Sequence, residues 1–315
     1  MNFQILYALE SIRTPFLDTV LGAITYLGNE YVFMVLAIIL YWCVSKKWGY
    51  YMLAVGFFGT VANQFAKIVC RIPRPWVRDP GFTIVESARA AAGGYSFPSG
   101  HTNSIVAAFG CIALIVKKRW VRIVCIVVIV LVAFSRMYLG VHYPTDVAFS
   151  LVVGVILVFA AYPIFAKADE KPEWVAATLA VLTLLSLAFT VYVDHYPFPA
   201  DTDPANLAHA VKNGWTLTGC GLAMLVSMWL DRRYLRFEVE APLWAQIVKT
   251  AVGLGLLLAI KAALKPLLAA IFGDAQITHA IRYFCVVFFA GYLWPLTFRW
   301  FAAGCPLRRK DAKSE

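Results

Sequence analysis

Residues 120–166 read WVRIVCIVVIVLVAFSRMYLGVHYPTDVAFSLVVGVILVFAAYPIFA. Two long apolar runs, 120–139 and 143–166, meet where Arg136, His142 and Asp146 are gathered. Runs of about 20 apolar residues match the hydrocarbon thickness of a bilayer. They are far too long for barrel strands, so each is a helix that satisfies its own backbone groups. Outward from this pair, further apolar runs fall near 29–45, 48–69, 101–116, 174–193, 213–230, 243–272 and 279–302. Residues 12–28 are shorter and more polar, and read as an amphipathic helix lying in the membrane interface. The expected fold is all-α: a polytopic membrane helical bundle of about nine transmembrane helices with an amino-terminal interfacial helix. No low-complexity linker divides residues 1–315, which read as a single membrane domain.

Composition points the same way. The chain is 61% hydrophobic and 15% charged, with a mean hydropathy of +0.71. A soluble domain is roughly 45–50% apolar and about 25% charged, so an ordinary cytosolic enzyme and a disordered chain are both excluded. Cys43, Cys111, Cys125, Cys220 and Cys285 lie inside apolar runs and read as small core residues rather than a disulfide framework. No zinc-like cysteine spacing occurs. Residues 1–28 carry Glu10, Arg13 and Asp18 and lack the basic start and apolar core of a cleavable signal.

The net charge of +10 could signal nucleic-acid binding, but the cations sit in short clusters between apolar runs. That pattern belongs to the positive-inside rule, so no nucleic-acid partner is expected. Nine spans place the clusters at 46–47, 117–122, 167–171, 232–236 and 299–313 on one side, which becomes the cytoplasmic side with the carboxy terminus. The amino terminus is then outside. The outer side retains Arg13, Lys67, Arg71, Arg74, Arg78, Arg89, Arg136, Lys212, Lys261, Lys265 and Arg282, together with all five histidines. No topological rule favours cations there, so something else holds them.

Three short stretches on that side carry the chemistry. They are KIVCRIPRP at 67–75, YSFPSGH at 95–101, and SRMYLGVHYPTD at 135–146. From His101 the chain crosses by one helix and returns by another to Arg136, so the three can meet. Lys67 and Arg71 share a helix face, and Pro73 and Pro75 hold Arg74 in a fixed turn. Arg136 adds a second guanidinium, and such forks suit a tetrahedral oxyanion. Pro98-Ser99-Gly100-His101 reads as a helix start whose backbone N–H groups form an anion site, with close backbone approach at Gly100 and a hydroxyl donor on Ser99. Asp146, four residues after His142, holds one ring nitrogen and leaves the other as a nucleophile. His101 is a separate imidazole, available to protonate a leaving group. Each piece alone has a plainer reading: interfacial anchors, an ordinary cap, a structural hydrogen bond. Their convergence on one face, where ionisable groups are costly, favours a site.

At these residues the chain resembles the type 2 phosphatidic acid phosphatase (PAP2) superfamily, with its signature K-x6-R-P, P-S-G-H and S-R-x5-H-x3-D matched at every position within 67–146. The resemblance implies a phosphatase in which His142 attacks phosphorus and forms a phosphohistidine, Asp146 orients it and His101 protonates the leaving oxygen. It implies that Lys67, Arg74, Ser99, Gly100 and Arg136 hold the phosphoryl oxygens, with no metal and no cofactor. The expected partners are the bilayer and a lipid phosphate monoester or diphosphate, met at the extracytoplasmic face of a bacterial cytoplasmic membrane. The nine-span layout is similar to that of glucose-6-phosphatase, so a soluble sugar phosphate is the alternative substrate. A vanadate-dependent haloperoxidase shares the pocket but is soluble, and a protein that merely binds phosphate needs no carboxylate behind its imidazole. Residues 174–302 read as additional transmembrane helices of unassigned role, in which Lys261 and Lys265 either line a cavity or reach out to the interface.

Overall fold

A computed structural model describes residues 3–302. Among the described residues there is no strand, and every apolar run is helical. The helices are α1 (Phe3–Ser11), α2 (Pro15–Thr25), α3 (Glu30–Ile39), α4 (Lys46–Cys70), α5 (Pro75–Arg78), α6 (Gly100–Ile105), α7 (Cys111–Ile115), α8 (Arg119–Tyr138) and α9 (Pro144–Ala166). They continue with α10 (Pro172–His195), α11 (Pro204–Leu230), α12 (Leu243–Phe272), α13 (Ile277–Phe288) and α14 (Phe298–Phe301). Wide π turns at Leu40–Val44, Val106–Gly110 and Phe289–Leu293 carry α3, α6 and α13 onward without a break in the coil.

Among the described residues, six helical stretches are long and apolar enough to cross a membrane: Lys46–Arg78, Arg119–Tyr138, Pro144–Ala166, Pro172–His195, Leu243–Phe272 and Ile277–Phe301. Pro15–Gly28 and Glu30–Val44 pass together as a pair bent by 49°, which raises the count to seven. The expectation of about nine spans is therefore larger than the number that qualify. The difference has physical causes. Gly100–Ile115 is a shorter apolar helix, and α11 is long but diluted by polar residues in its first half. The stretch expected to lie in the interface, 12–28, is the first arm of that bent pair.

By internal packing the described residues fall into two compact units. One comprises residues 3–36, 51–166 and 191–211; the other comprises 37–50, 167–190 and 212–302. In the first unit α8 is the central element, with α2, α6 and α1 packed on it. Thr14 caps α2, its hydroxyl accepting from the Leu17 N–H, and Pro15 takes the first helical position, where its missing N–H costs nothing. Tyr138, at the end of α8, ties α2 down: its hydroxyl donates to Asp18 at 2.8 Å and accepts from the Thr14 N–H. Trp76 packs against two apolar clusters of this unit, one around Leu21, Tyr138 and Val141, the other around Leu6, Phe82 and Tyr143. Gly28 abuts the start of α6. A Cβ there would lie 2.9 Å from the His101 carbonyl oxygen, so only glycine permits this approach.

In the second unit α12 packs on α13. Lys249 is buried there, donating to the carbonyls of Trp42 (2.9 Å) and Val239 (3.3 Å) with its ammonium 4.3 Å from the centre of the Phe298 ring. Lys46 pairs with the buried Asp231 at 2.8 Å. Pro163 and Pro266 sit inside α9 and α12, as membrane helices tolerate.

Candidate active site

The site lies wholly in the first unit and is assembled from helix ends. α4 ends in a residue of left-handed backbone, Arg71 (φ 48°), and Pro75 starts α5 with Arg74 immediately before it. Arg74 is buried, and its guanidinium is threaded through three carbonyls: Nε to Gly94 at 3.0 Å, Nη2 to Gly93 at 2.8 Å and Nη1 to Val141 at 2.8 Å. Nη1 also stands 2.9 Å from His142 Nε2. A guanidinium can only donate, so Nε2 is the accepting nitrogen and the ring proton belongs on Nδ1. Nδ1 faces Asp146 Oδ2 at 3.3 Å. That tautomer leaves the ring's lone pair on Nε2.

Asp146 is fully buried near the start of α9, and its Oδ2 also accepts from Ser96 Oγ at 2.6 Å and the Tyr143 N–H at 2.9 Å. A carboxylate with this many donors is held in one orientation. The imidazole beside it is neutral: burial first, then the Arg74, Arg136 and Lys67 cations, hold His142 well below the usual imidazole range.

Arg136, at the end of α8, is completely buried. Nη1 donates to Thr25 Oγ1 at 2.8 Å, while Nε and Nη2 are buried with no partner among the described residues. Lys67 Nζ donates to the Tyr95 carbonyl at 2.5 Å. Ser99 caps α6: its oxygen accepts from Thr102 Oγ1 at 2.9 Å and from the Thr102 N–H, and its own N–H donates to the Asp146 carbonyl at 3.3 Å. The plain cap reading therefore holds for Ser99 Oγ. A Cβ built on Gly100 would meet nothing within 4 Å, so the backbone there faces open space. His101 lies within electrostatic reach of Arg136, Arg74, Lys67 and His142.

The structure gathers Lys67, Arg74, His101, Arg136 and Asp146 around His142, with Ser99 and Gly100 at the start of α6 next to His101. Arg71 does not join them: the left-handed turn sends its guanidinium to Thr202 Oγ1 (2.9 Å) and toward Asp201 (3.7 Å). Arg89 is exposed and forks onto Glu86 at 2.7 and 2.8 Å. Sequence reasoning missed three contributions. Ser96 lies inside the 95–101 stretch and orients Asp146. The Gly93, Gly94 and Val141 carbonyls aim Arg74, and Thr25 holds Arg136 from outside every motif.

Among known proteins, residues 46–170 match the model of the PAP2 superfamily, and residues 215–306 match that of the PAP2 superfamily phosphatase, transmembrane extension. Undecaprenyl-diphosphatase BcrC of Bacillus subtilis is 34% identical over 163 residues, half of this chain and 81% of that protein. Phosphatidylglycerophosphatase B of the same organism is 33% identical over 47% of this chain and 75% of its own length. The lipid A 4'-phosphatase of Bacteroides thetaiotaomicron is 29% identical over 49% of this chain and 72% of its own. No solved structure matches the chain. Relatives aligned over most of their own length, with a buried imidazole, carboxylate and guanidinium groups standing at the signature positions, make this multi-pass membrane protein a phosphatase of the PAP2 superfamily.

Proposed function

We propose that the chain hydrolyses a lipid phosphate monoester or diphosphate, presented at the extracytoplasmic leaflet, through a phosphohistidine on His142. The observation that carries this reading is Arg136, a fully buried guanidinium with two donor nitrogens unpartnered among the described residues, whose charge acts on the His142 imidazole. A buried charged donor left unpaired costs several kcal/mol, about 1–3 or more per group. A tetrahedral oxyanion entering the site removes that cost.

In the first step Nε2 of His142 attacks phosphorus, the bond to the lipid oxygen breaks, and His101 supplies that oxygen with a proton. Burial and the Arg136, Arg74 and Lys67 cations hold the His101 imidazole down to about 3, so it is the negative charge of the bound phosphate that lets it carry this proton. Arg74 Nη1 gives up Nε2 and turns to a phosphoryl oxygen, while Arg136, Lys67 and the Gly100 backbone take the others. Asp146 stabilises the imidazolium that develops. In the second step water attacks the phosphohistidine, His101 takes its proton, and phosphate leaves with His142 restored. The named substrates of the relatives are lipid phosphates and diphosphates, which supports this class over a soluble sugar phosphate. The excess of cations at the opposite ends of the spans supports an extracytoplasmic site with the amino terminus outside.

The test is a panel of phosphatidate, phosphatidylglycerol phosphate, undecaprenyl diphosphate, sphingosine phosphate and glucose 6-phosphate, assayed in excess EDTA with and without vanadate. One or more of the lipids should be hydrolysed far faster than glucose 6-phosphate, with full resistance to chelation and strong vanadate inhibition. Preference for the sugar phosphate, or dependence on added Mg²⁺, would overturn the reading.

A further inference from the structure

The second unit holds a group of cations that the chemistry above leaves unused. Lys261 and Lys265 are one turn apart on α12, and almost none of the apolar stretch of that helix is buried within the protein. His279 and Arg282 lie one turn apart on α13, which packs on α12. Tyr283 gathers two of the charges. Lys261 Nζ is 5.6 Å and Arg282 Cζ 5.0 Å from the centre of its ring. The His279 ring lies in the field of Arg282, Lys265 and Lys212, the last from α11. Three helices of one unit therefore bring four full positive charges and an imidazole together.

Three of these charges, Lys212, Lys265 and Arg282, have no ion-pair partner among the described residues. Arg282 is only 9% exposed, yet its guanidinium makes no hydrogen bond among the described residues, and its Nε is buried with no partner. The Nδ1 of His279 is buried and unpartnered as well. Like charges at this spacing repel one another, and a guanidinium inside an apolar span is costly until an anion meets it. The positive-inside pattern gives no topological reason for the four cations, which fall on the less basic side of the membrane in the charge count.

We propose that Lys212, Lys261, Lys265, His279 and Arg282 form a second phosphate-binding site, taking the head group of an anionic phospholipid. Guanidinium and ammonium donors from separate helices match the several oxygens of a phosphate. Leu258 and Phe272, exposed three residues before Lys261 and seven after Lys265, share the lysine face of α12 and offer apolar surface for acyl chains, which favours a lipid over free phosphate as the source. This site does not depend on the hydrolytic reading given to His142.

The experiment uses the full chain in a nonionic detergent, with equilibrium dialysis of dihexanoyl phosphatidylglycerol, dihexanoyl phosphatidylcholine and inorganic phosphate. The double variant Arg282→Gln, Lys265→Gln should lose about tenfold or more in affinity for phosphatidylglycerol, and Arg282→Lys should stay within about threefold of wild type. Hydrolysis of p-nitrophenyl phosphate should be unchanged in all of them. Should the Arg282→Gln chain fail to fold, Lys265→Gln and Lys212→Gln alter exposed side chains and should each lose about two- to threefold. Loss confined to inorganic phosphate would keep the site and assign free phosphate as its ligand. Equal phosphatidylglycerol affinity in wild type and every charge-neutral variant, or equal binding of phosphatidylcholine, would overturn the proposal.

Discussion

Arg136 in the first unit and Lys249 in the second are both about as buried as a cation can be, at 0% and 1% exposure. Lys249 spends its ammonium on the carbonyls of Trp42 and Val239 and rests against the Phe298 ring. Arg136 spends one nitrogen on Thr25 and leaves two without a partner among the described residues. Burial alone therefore does not distinguish a structural charge from a functional one in an apolar bundle. What distinguishes them is whether the donors are already used, because unused donors in a dry site are a standing demand for an anion.

The sharpest way to break this contrast is to remove the group that Arg136 and its neighbours serve. His142→Ala should reduce turnover by several orders of magnitude with every substrate, measured as initial rate on both a lipid monoester and p-nitrophenyl phosphate. His101→Ala should lose about 10²–10⁴-fold on the lipid monoester, whose alkoxide needs a proton, and far less on the nitrophenyl ester. Equal losses for both variants on both substrates would mean that the two imidazoles do not divide the work.

The contrast itself is tested by a matched pair. Arg136→Gln should cut kcat by about 10²–10³-fold, as loss of a preorganised oxyanion donor does, with little change in thermal stability in detergent. Lys249→Met should do the reverse. It leaves two carbonyls bare and should destabilise by about 1.5–3 kcal/mol while kcat of the remaining folded protein stays at the wild-type value. If Lys249→Met is as inactive as Arg136→Gln at undiminished stability, the distinction drawn here is wrong.

A smaller effect is expected at Ser96. Removing its hydroxyl deletes a 2.6 Å bond to Asp146, and Ser96→Ala should lower kcat by about ten- to a hundredfold without changing the leaving-group dependence, because only the aim of His142 is disturbed. Appearance of the leaving-group pattern expected for His101→Ala in this variant would place Ser96 elsewhere in the chemistry.

The smallest effect is a shift along the pH axis. Attack needs neutral His142, and burial together with Arg74, Arg136 and Lys67 lowers its affinity for a proton. The acid limb of kcat/KM, corrected for ionisation of the substrate, should therefore lie below the ordinary imidazole value of about 6.5. Arg136→Gln removes one of the depressing charges and should move that limb upward. The same sign holds for stability: the unfolded chain takes up this proton more readily than the folded one, so the contribution of His142 is intact above about 6.5 and is lost as the pH falls below it.

Much of this was legible beforehand because polar residues in apolar runs are so few. The helices follow the nine apolar runs closely, and Lys67, Arg74, His101, Arg136, His142 and Asp146 could be brought together from chain direction alone. What was not legible depends on backbone geometry or on distant partners. The left-handed turn that removes Arg71 from the site is a property of φ, not of residue type. The carbonyls that aim Arg74 carry no side-chain signature. The span count came out smaller than nine because apolar content does not reveal a 49° bend at Asn29 or a helix half diluted with polar residues.

The bond from Arg136 to Thr25 has a consequence for where the enzyme begins. The family match opens at residue 46 and the signature at 67, yet the hydroxyl that Arg136 uses sits more than twenty residues upstream of either. Asp18 and Thr14, which secure Tyr138 two residues beyond Arg136, belong to the same leading segment. A chain trimmed to the recognised boundaries would keep every signature residue while the guanidinium at its centre lost its anchor. Thr14, Asp18 and Thr25 thus hold the end of α8 in place, and grafting the signature into another bundle would require bringing their segment along.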